Sequence, residues 1–546
     1  MDLSAELKKF IKGDVETDEK ILAKYSKDAS LFTVKPQVVV FPKDTEDIKN
    51  LVKFVNEHKG GMPDLSLTPR AAGTDMTGGP LSESIVVGFT RYFNHIKEIG
   101  DDFATAEPGV FYRDFEKETL KHGLLLPSYP ASREICALGG MVANNAGGEK
   151  TLTYGKTQNY IKELKVVLGD ANEYTFRKIS RDELERKMAE QTFEGAVYRR
   201  IWQLVSAHAE IIKNAKPKVS KNSSGYYLWD VWDGEDFDLT KLVVGSQGTL
   251  GIVTEITFNL VPVKKYSKLL TIFLKDLDPL VEIIHTVLPL KPESFESFDD
   301  HTFKFAMKFL GDVGNVLGSR NLISLMFQFL PEFWMVVTGG VPKLVMLVEF
   351  AGDDEREIDE KLSKLHSALQ KFPVKTRTTK TVQDAKKYWT MRRESFNLLR
   401  RHAKGKRTAP FIDDIIVDPD RLEEFFPRLN AILGAYPQLL YTVAGHVGNG
   451  NFHIIPLMDF ADEKNRAVIH ELSDKVYDLV FEFGGSISAE HNDGLIRTPY
   501  LEKMFGKDIV ALFKETKQIF DPNNIFNPGK KVGGTIEYAL AHIKAH

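Results

Sequence analysis

At 546 residues the chain is long enough for two to four domains of roughly 100–200 residues each, and with 42% hydrophobic and 27% charged residues it has the composition of a globular protein, not of a disordered or collagenous one. A formal net charge of −4 supplies no overall positive field for nucleic acid or an anionic bilayer. A single cysteine, Cys136, excludes an internal disulfide, a thiolate zinc knuckle and an iron–sulfur cluster carried on this chain.

Residues 1–8 include acidic side chains and no apolar core of signal-peptide type, so a cytoplasmic protein is expected. From about Thr33 to Pro262, short β-branched runs alternate with helical periodicity and glycine-rich turns, an α/β or α+β pattern. Strands are predicted at 37–41, 84–89, 164–168 and 242–245. Between the first two, Ile48, Leu51, Val52 and Val55 fall at helical spacing over 45–57, with Thr45, Glu46 and Asp47 suited to the cap and first turn. From Lys264 a second, antiparallel α+β pattern begins, with strands at 268–274 and 343–350 and a helix at 279–287. The apolar stretch 322–350 is broken by Gln328, Pro331, Gly339-Gly340 and Pro342, short of the ~18–20 residues of a spanning helix. Its aromatic part, 327–335, reads first as a buried segment and second as peripheral contact with the inner face of a membrane. A last amphipathic helix ends at Phe520-Asp521-Pro522, where proline stops it.

Three glycine-rich segments, 69–79, 139–148 and 245–253, punctuate the first half. No G-x-G-x-x-G occurs, and Gly155-Lys156-Thr157 fails as a P-loop because Lys150 stands where that loop needs its first glycine. Residues without bulk at Cβ let successive backbone N–H groups close on a diphosphate. Any one segment reads first as a tight turn, whereas three in one chain favour an anion cradle.

Further on, 441–455 reads as two strand-like runs around Asn449-Gly450, a strong signal for a two-residue type I′ hairpin. With that pair as the turn, His446 faces His453 at a Cβ separation of ~4.5–5.5 Å, near enough for two imidazoles to grip one ion. Glu490 is a candidate third ligand, giving a two-His, one-carboxylate set. An isolated histidine pair reads first as structural, and the presence of Glu490-His491 tips the balance toward a metal site.

The glycine segments together resemble the flavin-binding domain of the FAD-linked oxidases of the vanillyl-alcohol-oxidase, PCMH type. Residues 445–453 and 484–492 resemble the G-H-x-G-D/N-G-N-x-H and G-G-S-I-S-x-E-H-G signatures of the FAD-dependent D-2-hydroxyacid dehydrogenases, the group that includes D-lactate dehydrogenases. The likeness covers nearly the whole chain. It implies an α+β fold: an N-terminal helical segment (1–34), a two-subdomain PCMH-type FAD-binding domain (35–262), a ferredoxin-like α+β cap for substrate (263–483) and a C-terminal segment (484–546) that returns to complete the active site and the FAD domain.

The same resemblance implies FAD, held noncovalently because the first loop carries no histidine. Arg70, Ala71, Ala72, Gly73, Thr74 and Asp75 would surround its pyrophosphate, with Gly139, Gly140, Asn144 and Gly147 along ring and diphosphate. Gly248 and Ile252 would contact the adenosine and flavin side, and Asn527 of the closing D-P-x-x-x-x-N-P-G-K would stand near the isoalloxazine. His446, His453 and Glu490 would bind a zinc- or manganese-like divalent metal, His491 would be the base, and Arg392 in W-T-M-R would clamp the α-carboxylate while hydride passes to flavin N5. The substrate implied is a small D-2-hydroxyacid, most like D-lactate, because Ile412 stands where 2-hydroxyglutarate enzymes place a lysine for the distal carboxylate. Electrons would go on to a quinone, cytochrome or electron-transfer protein. Rival readings are a flavin oxidase using oxygen and a non-redox flavin-dependent synthase. Three departures from the family pattern stand out: Ala71-Ala72 for glycines, which requires that neither has positive φ, Gln247 for an acid, and Asn492 for a glycine. Cys136 reads as a buried, inert thiol.

Overall fold

The computed structural model describes residues 2–308, 329–330, 334, 340–402, 406–437 and 439–543, so most of the 327–335 aromatic segment lies outside the described residues. Three large sheets organise the described residues, beside a two-stranded pair of Leu124–Leu125 with Val261–Pro262. In the first, Val38–Phe41, Ile85–Gly88 and Leu67–Arg70 run parallel in that spatial order, and Asp14–Glu16 adds an antiparallel edge next to Val38–Phe41. The helix Thr45–His58 follows the strand Val38–Phe41 and packs Ile48, Leu51, Val52 and Val55 into the same core. Its cap is Asp44 rather than Thr45, because the Asp44 carboxylate is in reach of the Asp47 N–H at 3.1 Å.

The second sheet is antiparallel, in the order Asp236–Asp238, Glu173–Ser180, Ile161–Val167, Ile252–Asn259, Phe103–Ala106 and Ile96–Ile99. The strand expected at 242–245 is a short helix, Thr240–Val243. Asp238 Oδ1 accepts from both Thr240 N and Oγ1, which turns the chain before the apolar run can extend.

The third sheet is antiparallel throughout, in the order Lys375–Thr378, Tyr266–Leu274, Leu344–Gly352, Ser294–Asp299, Leu440–His446, Asn451–Met458 and Arg407–Thr408. Both faces of its central strand Leu344–Gly352 are covered, which explains why 344–348 reads as an unbroken apolar run, whereas the edge strand Lys375–Thr378 is polar and half-exposed. Leu344, Met346, Val348 and Phe350 enter the large core under helices Leu280–Val287, Glu355–Leu369, Leu422–Gly434 and Glu463–Glu482, while Val345 and Leu347 face helices Asp300–Lys308 and Val382–His402 with Phe298, Tyr388 and Trp389.

The C-terminal segment then leaves this sheet. Helix Lys507–Phe520 ends as expected and buries Ile509, Phe513 and Phe520 among residues of the second sheet. Beyond it, Leu67 N donates to Ile525 O and Asn527 N to Leu67 O, which ties the tail to the first sheet.

Candidate active site

A cleft of about 810 Å³ lies between the first two sheets. Arg70, Ala71, Ala72, Gly73, Thr74 and Asp75 line it from one side, and Gly139, Gly140, Asn144 and Gly248 from others. Among the described residues, the amides of Ala71, Ala72, Gly73 and Thr74 donate no hydrogen bond. Four successive orphan N–H groups at a cleft wall suit a diphosphate. Ala71 and Ala72 are accommodated because the left-handed position falls on Gly73, at φ +73°.

Three expected flavin residues are placed differently, whereas Arg70 lines the cleft as expected. The Arg70 guanidinium also donates to Tyr25 O and Lys27 O, which anchors the N-terminal segment. Ile252 points into the core beside Val38 and Val167 and does not line the cleft, because along its strand only alternate side chains share a face. Asn527 is buried, spending its side chain on Gly79 O, Gln247 O and Thr68 Oγ1. Gly147 stands beyond the cleft lining, where a Cβ would lie 3.1 Å from Glu490 Oε2. The second glycine segment thus lets the Glu490 carboxylate approach. Gln247, at φ +53°, cross-links the loops: Nε2 reaches Asp75 and Asn144, and Oε1 accepts from Gly494 N.

The histidine hairpin turns differently from the two-residue expectation. Residues Val447–Asn449 form a single 3₁₀ turn closed by Gly450 at φ +71°, so four residues make the loop and the pairs become His446 with Asn451 and Ala444 with His453. The register has moved by two, which preserves the face. Phe298, Ala444 and His453 form one cross-strand row, and Glu296 with His446 forms the next, joined through Oε1 and Nδ1 at 2.6 Å. The two imidazoles therefore still meet, their ring centres 5.3 Å apart.

Glu490 closes the cluster. Its Oε1 is 3.0 Å from His446 Nε2 and 3.4 Å from His453 Nε2, and its Oε2 is 3.1 Å from Lys221 Nζ. Asp413 bridges the other side, Oδ1 at 3.0 Å from His453 Nδ1 and Oδ2 at 2.6 Å from His491 Nδ1. The rings of His453 and His491 stack with centres 5.0 Å apart. Asp414, His453, Glu490 and His491 also present ligand atoms within 4.8 Å of one another, although Asp414 Oδ2 already accepts from Ser488 Oγ, Glu490 N and His491 N. Arg392 pairs with Glu296 Oε2 at 3.2 Å, one carboxylate removed from His446.

Burial alone would depress the histidines, yet Asp413 and Glu490 outweigh it and push His453 up to about 10; Asp413 and Asp414 likewise raise His491. Burial would raise Glu490, but His446 and Lys221 hold it well below the usual carboxylate range. Burial pushes the Cys136 thiol up to about 12, consistent with an inert residue.

Segment 484–494 is seated by Ile416, which exchanges backbone hydrogen bonds with Ser486. Asn492 has φ +73°, the conformation that a glycine would otherwise supply, and its Nδ2 donates to Gly245 O and Asn144 O. Asn144 and Gln247 both line the cleft, so the segment carrying Glu490 and His491 is bonded directly to its wall. Sequence reading missed Glu296, Asp413 and Lys221. For Glu296, on the half-polar strand Ser294–Asp299 and 150 residues from His446, no motif gave a signal. For Lys221, 269 residues from its partner, there was none.

Three glycine-lined loops around one cleft, opposite an antiparallel cap, define a two-domain flavin-binding fold. Residues 36–176 match the FAD binding domain and residues 263–531 the C-terminal domain of FAD linked oxidases, and the chain belongs to the FAD-linked oxidase family. It is 28% identical over 526 residues to the D-2-hydroxyglutarate dehydrogenase of Pseudomonas putida, covering 95% of this chain and 50% of that protein. It is 28% identical over 507 residues to the D-lactate dehydrogenase of Archaeoglobus fulgidus, covering 91% of each. The chain thus spans about half the length of some curated relatives and nearly all of others. Among solved structures, a 4-ethylphenol oxidase from Gulosibacter chungangensis in complex with isoeugenol shares the fold, with a TM-score of 0.69 at 16% identity over 98% of this chain and 97% of that one. No helix among the described residues is long and apolar enough to cross a membrane.

Proposed function

We propose that the protein is an FAD-dependent D-2-hydroxyacid dehydrogenase that oxidises D-lactate to the 2-oxoacid. The observation that carries this reading is the meeting of His446 and His453 with Glu490, whose segment is hydrogen-bonded to the glycine-lined cleft. When bound, FAD supplies a two-electron acceptor and a divalent metal supplies Lewis acidity at the substrate hydroxyl. The donor set suits a metal: each imidazole is anchored through Nδ1 on a carboxylate, which turns Nε2 toward Glu490.

His491, held through Nδ1 by Asp413, presents Nε2 and in its neutral form takes the hydroxyl proton there. Arg392 pairs with the α-carboxylate. Lys221 pairs with Glu490 and Arg392 with Glu296, and we assign Arg392 to the substrate because it stands in the W-T-M-R segment; a single assigned cation suits a monocarboxylate. Ile412 has no bearing on that choice, because it is buried in the apolar core with Phe411 and Ile415. Onward electrons pass to a quinone, a cytochrome or an electron-transfer protein.

Anaerobic mixing of the flavin-loaded protein with D-lactate, D-2-hydroxyglutarate and glycolate tests this. We expect D-lactate to bleach the flavin fastest. Faster bleaching by D-2-hydroxyglutarate overturns the substrate assignment, hydrogen peroxide formed in air replaces dehydrogenase with oxidase, and no bleaching by any 2-hydroxyacid removes the redox reading. His446→Ala should lose metal and keep FAD; unchanged metal content eliminates the ligand assignment.

A further inference from the structure

Lys221 stands behind the ligand cluster. Side-chain exposure falls from 22% at His491 through 11% at His453 to 6% at Glu490 and 1% at Lys221, so the cluster opens at His491 and is closed at the lysine. A substrate entering from the open side meets His491 first and does not reach the ammonium. The loop that carries Lys221 is held on both flanks by the segments it serves. Ser223 N donates to Ser488 O, Asn222 Oδ1 accepts from Ser486 Oγ, and Ser220 Oγ accepts from Asn449 Nδ2 in the histidine turn. Beneath it, the buried Lys156 ammonium bonds Ser223 Oγ and Ala489 O, fixing the two strands of this contact together. That much scaffolding places one positive charge on Glu490 Oε2, opposite the oxygen that receives both imidazoles.

Building on the metal reading above, we infer that Lys221 is the resident counter-cation of the site: it pairs with the Glu490 carboxylate and aims it when no metal is bound, and it weakens metal binding below what two imidazoles and a carboxylate would give unaided. The physical reason is that a buried carboxylate needs a positive partner. A lysine that supplies one also repels a second cation gripped by the same carboxylate, in surroundings that screen poorly. The protein therefore has a folded, ion-paired metal-free form and a metal site whose occupancy follows metal supply.

Lys221→Met and Lys221→Gln test this in the FAD-loaded protein, with zinc and manganese affinity measured by competition against a chelator and thermal unfolding followed with and without excess chelator. We expect both variants to retain FAD, to bind zinc at least about tenfold more tightly than the parent, and to lose thermal stability only in the metal-free state, with zinc closing the gap. Lys221→Arg should keep parental affinity. Zinc affinity equal to or weaker than the parent in whichever of the two neutral variants folds overturns the inference. A parent that takes up neither metal overturns the metal reading and this inference together, whereas a parent that binds zinc beside neutral variants that bind it no better overturns this inference alone.

Discussion

Asp413 spends both carboxylate oxygens on imidazoles, with His453 at 3.0 Å and His491 at 2.6 Å, and its own side chain has no solvent exposure. Arg497, equally buried, fixes the Asp413 carbonyl at 2.6 Å, so the carboxylate is aimed from behind. One residue thus orients a metal-ligand candidate and the proposed base together. Asp413→Asn replaces one acceptor oxygen by a donor and can satisfy one ring only. We expect the rate constant for flavin reduction to fall roughly 10–100-fold with FAD content unchanged, and Asp413→Glu to recover part of it; rapid-mixing spectroscopy decides. Parental rates in Asp413→Asn would show that His491 needs no such aim. His446, His453, Glu490 and His491 were legible because each lies within a short spaced motif. Asp413, Glu296 and Lys221 were not, since their partners are 78, 150 and 269 residues away in sequence and an ion pair leaves no periodic trace.

The hairpin of Leu440–His446 with Asn451–Met458 shows how an element can be read correctly in kind and wrongly in register. Asn449-Gly450 predicted a two-residue turn, but the 3₁₀ turn consumes Val447 and Gly448 as well, and the pairing moves by two residues. Because strand side chains repeat every two residues, the histidines stayed on one face and still meet. A slip of one would have separated them. The segment bearing Glu490 relies on a different device, the left-handed Asn492 at φ +73°. Two substitutions separate its backbone role from its hydrogen bonds: Asn492→Gly and Asn492→Ala both lose the contacts to Gly245 O and Asn144 O, but only alanine also meets the left-handed penalty. The alanine variant should be less stable than the glycine variant by about 1–2 kcal/mol, measured by denaturant unfolding of the FAD-loaded proteins. Equal stability would mean the segment can relax to another conformation.

Across the whole molecule, the two ends of the chain meet over the first glycine loop. Phe32 bridges to Ile543, Thr33 N donates to His542 O, and Ala29 N donates to Asp75 O, so the N-terminal segment holds the flavin loop from outside. Asp28 is the charged member of that contact: it accepts from Gly78 N at 3.1 Å and from Ser30, and burial with the nearby Asp75 pushes its carboxyl from 3.8 up to about 7. In the unfolded chain the same group releases its proton near its ordinary value. Between about pH 4 and 7 the folded state therefore binds more protons than the unfolded one, and the stability contributed by Asp28 falls as pH rises, by at most about 1.4 kcal/mol per pH unit, then levels off above 7. Asp28→Asn removes this dependence. The melting temperature of the variant should gain on that of the parent as pH is raised from 5 to 7.5 in the presence of saturating FAD. A difference that stays constant over that range would show that Asp28 is already ionised at pH 5 and that the N-terminal segment is held on the loop by charge rather than by a proton.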